Sequence, residues 1–145
     1  MRRREILAGG TASALLAAVA GANGVADMTA PETEAALAGT WAVHAVKDAT
    51  IPVGLVPLLV FKPASLGVFG GCNGFSLSLT YLEGGKLMLG PAELNTRTTC
   101  TEDAVAVEAQ VLRALQRIDG VSFHDDGRIT LTAFGTVMLQ AARKT

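Results

Sequence analysis

The sequence carries few side chains suited to catalysis. It holds two cysteines, two histidines, one tryptophan and one tyrosine, and 17% of its residues are charged. Cys72 and Cys100 stand far apart, which excludes the two-residue spacing of a thioredoxin-like redox pair. A zinc site needs about four ligands, and neither His44 nor His124 has metal-ligand spacing to a cysteine. A formal net charge of −1 offers no clustered basic surface to neutralise phosphates, so nucleic acid is not an expected partner. The glycines around Cys72 lack the Lys and the helix that a phosphate-binding loop requires. Asp125-Asp126-Gly127 lacks the later oxygen ligands of a calcium loop and reads as a hairpin turn. Glu102, Asp103 and Glu108 read as helix capping and a solvated face rather than as paired carboxylates. No catalytic residue, cofactor or metal is therefore expected.

A long uninterrupted apolar run is also missing. The stretch from Ile6 to Ala26 approaches the ~20 residues a bilayer needs, but Gly9, Gly10, Gly21, Asn23 and Gly24 interrupt it. Arg3-Arg4-Glu5-Ile6-Leu7 has the twin-arginine form that bacterial folded-protein export reads as an address. Residues 1–26 are accordingly expected to be a removable signal, cut after Ala22 or Ala26, where small side chains occupy both inspected positions. This region has no cysteine to carry a lipid. The expected location is periplasmic or secreted, with membrane attachment only through an uncleaved signal.

Residues 27–36 are small, acidic and proline-containing, as a solvated linker is, and the folded domain is expected over residues 37–142. In "LAGTWAVHAV", Trp41, Val43 and Ala45 alternate with Ala42, His44 and Val46, predicting a strand with the tryptophan inward. "VPLLVFKP" and "SLGVFGG" suggest two short strands, and "IPVGLVPLLVF" is expected mainly to be buried in the core. Phe75, Leu77, Leu79 and Tyr81 alternate with Ser76, Ser78 and Thr80, and Gly84-Gly85 then turns the chain into "KLMLG".

The period changes after Cys100. Thr101 can cap a helix over about 102–118, with Val107, Val111, Ala114, Leu115 and Ile118 on one stripe. Three strand-like segments follow, "VSFH", "RITLTAF" and "TVMLQAA". The fold class is α+β, mainly antiparallel sheet in about seven or eight strands with one packed amphipathic helix.

In an oxidising compartment, the two cysteines are most economically one structural disulfide. Reduced structural thiols, or a nucleophilic Cys100 at the start of a helix, are the alternatives that the residues leave open. Asn73 is expected to bond local backbone and to hold a positive φ.

Gly39-Thr40-Trp41, Gly70-Gly71-Cys72-Asn73-Gly74-Phe75-Ser76, Leu89-Gly90-Pro91 and Thr96-Arg97-Thr98-Thr99-Cys100, with Glu108 and Leu112 on the following helix, resemble the META/HslJ domain family. The resemblance spans residues 37–140 and centres on the turn Gly71, Asn73 and Gly74. It implies a compact, barrel-like antiparallel sheet with a packed helix. It also implies a non-enzymatic bacterial envelope protein, concerned with envelope maintenance or stress tolerance through binding. An envelope protein or a small apolar ligand is the expected partner. The alternatives are a ligand- or lipid-binding accessory subunit and a thiol-dependent enzyme.

Overall fold

The computed structural model describes residues 22–144. The leader expected over residues 1–26, with Arg3 and Arg4, lies outside these residues apart from 22–26. Among the described residues are nine strands and two α-helices. In chain order they are α1 (Ala30–Leu37), β1 (Gly39–Val46), β2 (Leu58–Phe61), β3 (Ser65–Phe69), β4 (Gly74–Tyr81), β5 (Leu87–Leu89), β6 (Glu93–Leu94), α2 (Glu102–Leu115), β7 (Gly120–Phe123), β8 (Arg128–Ala133) and β9 (Thr136–Arg143).

Every strand pair is antiparallel, in the order β5-β4-β3-β2-β1-β9-β8-β7, with β6 also lying along β4. A bridge between Lys86 and Gly120 and a 3.0 Å bond from Leu87 N to Asp119 O bring the two ends of this order together. The result is a nearly closed barrel, which leaves few strand edges open to other chains. Leu59, Leu66, Leu77, Ile129, Leu131 and Leu139 face its interior and are fully buried.

The alternation in β1 holds for Trp41 and Val43, then slips. Ala141 of β9 pairs with Val43 and Gln140 with Ala45, so His44 has no partner at this bulge. Val46, not Ala45, is therefore the next buried side chain, and His44 is exposed. A strict period of two cannot reveal this, because the extra residue is set by the partner strand.

The segment expected to be a linker is instead a packed helix. Thr29 and Glu32 form a reciprocal capping box at the start of α1, and Pro31 lies in its first turn, where a missing N–H costs nothing. Thr33 and Leu37 are fully buried, and Ala30 N donates to Glu83 Oε2 at 3.0 Å. At the far end of α1, the Arg143 guanidinium donates to Ala36 O at 2.8 Å and Ala38 O at 2.7 Å. It also lies over the Trp41 ring, 4.3 Å from the centroid, while Trp41 Nε1 donates to Leu37 O at 2.8 Å. The last strand thus caps the first helix and satisfies carbonyls that a helix end leaves free.

Helix α1 sits by the Tyr81 end of β4, whereas α2 sits by its Gly74 end. Thr101 caps α2 by accepting from Ala104 N at 3.2 Å, and Glu102 and Asp103 follow in the first turn. Its stripe of Val107, Val111, Ala114 and Leu115 packs into the core, continued by Ile118 just beyond the helix.

Candidate functional site

The connection from β3 to β4 runs through Gly70, Gly71, Cys72 and Asn73 and lies directly against α2. A Cβ on Gly70 would sit 3.0 to 3.2 Å from the Cγ, Cα and Cβ atoms of Glu108, so any larger residue would push on the helix at this close approach. Gly71 has φ 125°, a conformation that side chains disfavour. These glycines bring Cys72 to the N-terminus of α2, where it forms a disulfide with Cys100, with the Cα atoms 5.8 Å apart across a separation of 28 residues.

Asn73 organises the rest. Its Oδ1 accepts from Thr98 N at 2.8 Å and from the Thr96 hydroxyl at 3.3 Å, and that hydroxyl in turn accepts from Gly74 N at 2.9 Å. Asn95 N donates to Gly74 O at 2.8 Å. The expectation for Asn73 is corrected in two respects: Gly71, not Asn73, takes the positive φ, and the backbone group bonded by the Asn73 side chain is Thr98 N, 25 residues away, while within its own turn Nδ2 donates to Cys72 Sγ at 3.3 Å. Residues 95–100 have no regular secondary structure, and this asparagine and the disulfide pin them to the barrel.

Glu108 also departs from expectation. The residue pattern predicts a solvated face, yet Glu108 is 8% exposed, and its Oε2 accepts from Asn73 N at 2.6 Å. The turn's partly buried N–H would otherwise lack this acceptor. A signal was present: Ala104, Val107, Glu108 and Val111 follow one another at helical spacing, all on the buried stripe.

The network ties the β3–β4 turn to α2 and to residues 95–100. The two sulfurs are bonded to each other, and the described residues contain no free cysteine and no group of three His, Cys, Asp or Glu that could hold a metal. The His124 ring is hydrogen-bonded to the Thr130 hydroxyl. In the hairpin at Asp125-Asp126-Gly127, Asp126 accepts from Arg128 N at 3.0 Å and Nε at 2.6 Å, which holds its carboxyl below the usual range. Exposed apolar side chains stand near the disulfide turn, among the exposed polar residues 95–99. Phe69 pairs with Gly74, Leu94 with Phe75, and Leu55 packs on Gly71; Phe69, Leu94, Val53, Val56 and Val105 are exposed. The stretch "IPVGLVPLLVF" is therefore divided: Leu59 and Phe61 are buried, and Val53 and Val56 face out.

A nearly closed antiparallel barrel, with one helix tied by a disulfide to a glycine-asparagine turn, defines the class. The family model described as META domain matches residues 34–145, and the chain belongs to the META domain family. An NMR structure of a protein from Burkholderia xenovorans is similar, with a TM-score of 0.61 and 25% identity over 82% of this chain and 91% of that one. No curated protein matches.

Proposed function

We propose that this META-domain chain is an exported, non-enzymatic protein that serves envelope maintenance or stress tolerance by binding an apolar segment of an envelope protein. The observation that carries this reading is the exposure of Phe69 and Leu94 on the strands beside a turn held by the disulfide and the Asn73 network, with Val53 and Val56 exposed on either side of Leu55, which packs on that turn. A turn held in this way favours binding because little loop freedom is lost on association. A disulfide suits an oxidising compartment, which is where the twin-arginine leader directs the chain. Leu59, Leu66, Leu77, Leu115 and Leu131 occupy the barrel interior, which favours the surface over a small ligand held inside.

The test places a photo-crosslinking amino acid at Phe69 and, as a control, at Phe134, an equally apolar side chain on another turn that is more exposed, 94% against 44%. Crosslinks to an envelope protein at position 69, absent at 134 and reduced when both cysteines are replaced by alanine, are expected. Equal crosslinking at the two positions overturns the surface beside the turn as a binding surface. Recovery of the chain in the cytoplasm with two alkylatable thiols overturns export.

A further inference from the structure

Two bonds in the leader suit a signal peptidase: Ala22–Asn23, after Ala20-Gly21-Ala22, and Ala26–Asp27, after Gly24-Val25-Ala26. The fold treats the residues around them differently. We infer that processing hydrolyses the Ala22–Asn23 bond and spares Ala26–Asp27, so that the mature chain begins at Asn23. This rests on the export reading above.

Residues 22–27 form a 3-10 helix, and Val25 and Met28 within and beyond it are 7% and 5% exposed. Met28 N donates to Val25 O at 3.0 Å, and Gly84 N donates to Met28 O at 2.8 Å, which fastens the segment to the turn between β4 and β5. Gly85, at φ 74°, leaves room for Val25: a Cβ there would overlap the valine methyl and approach Val121 O to 3.2 Å. Val25 therefore lies over the junction where β5 meets β7 and the barrel closes.

A peptidase holds the residues flanking the scissile bond extended in its cleft. To cut after Ala26 it would have to withdraw Val25 and Met28, one on each side of that bond, and break the bond to Gly84. A twin-arginine substrate folds before export, so this segment is seated when the peptidase meets it. Cutting after Ala22 withdraws neither residue. Water adds across the amide, leaving a carboxylate on Ala22 and a free amine on Asn23, and every contact from Val25 onward is kept.

The experiment expresses the full chain with its own leader in a host with twin-arginine export, recovers it from the periplasm, and determines its N-terminus by sequencing and intact mass. An N-terminus at Asn23 is expected. One at Asp27, or an uncut periplasmic chain starting at Met1, overturns the inference while leaving export intact, whereas a chain found only in the cytoplasm overturns both. A second arm uses Gly85→Ala, which unseats Val25 without touching the leader: added cleavage at Asp27 is expected, and cleavage confined to Asn23 overturns the proposed protection. In a third arm, leaderless chains starting at Asn23 and Asp27 are melted side by side. A lower Tm for the Asp27 chain is expected, and identical melting overturns the role of Val25.

Discussion

Glu108 and Asn73 lie 35 residues apart in sequence, and the glutamate carboxylate accepts the asparagine backbone N–H at 2.6 Å from inside a nearly buried site on α2. This contact and the disulfide join the same two elements, and together they decide how the β3–β4 turn meets the helix.

Replacing Glu108 by alanine should leave that amide without an acceptor and destabilise the fold by about 1–3 kcal/mol. Glu108→Gln keeps an acceptor oxygen and should lose less than half as much. Urea midpoints for the two variants check the order; equal losses would mean that the side chain's packing, not its bond to Asn73, is what matters.

Reduction should act on the disulfide alone. Closing a loop with a separation of 28 residues corresponds to about 3.5 kcal/mol in the chain-entropy account. Cys72→Ala, Cys100→Ala and the double variant should therefore lose similar amounts rather than adding. Dithiothreitol should lower the midpoint of the wild type and leave that of the double variant unchanged.

Two glycines three residues apart should respond unequally. A Cβ on Gly70 crowds the Glu108 backbone and side chain, so Gly70→Ala should cost about 1–3 kcal/mol by overpacking. On Gly67 the nearest atom is Val60 Cβ at an ordinary 3.6 Å, and Gly67→Ala should change stability by less than about 0.5 kcal/mol. Thermal melts of the pair test whether close approach to α2, rather than glycine content, is what the turn requires.

Tyr81 introduces a pH dependence at the alkaline end. Burial, with a smaller contribution from the Glu34 carboxylate, pushes its phenol up from 10.0 to about 12, and its hydroxyl donates to Lys62 O at 2.8 Å. Between these values the folded chain holds a proton that the unfolded chain releases, so the contribution is complete below pH 10 and lost as pH rises toward 12. The difference in urea midpoint between the wild type and Tyr81→Phe should shrink across that window. A difference independent of pH would show that the phenol titrates alike in both states.

Helix α1 shows how a local signal can be present and still be outweighed. Thr29, Pro31 and Glu32 spell a capping box with proline in the first turn, but the surrounding residues are small and acidic, and Thr33 and Leu37 are its fully buried contacts. Average composition over residues 27–36 therefore resembles a linker. Helix α2 is legible in the sequence because its buried stripe repeats through four turns and begins at a threonine cap.

Local sequence carries the α+β class, the run of short strands, the capped helix after Cys100 and the cysteine pair as a candidate bridge. Each of these depends on neighbours within a few positions, through alternation, helical period or turn chemistry. The tertiary structure alone decided the barrel's closure at Lys86 and Gly120, the bulge that exposes His44, and the burial of Glu108 against Asn73. These are pairings across tens of residues, and their partners are chosen by how whole elements pack, which no local window contains.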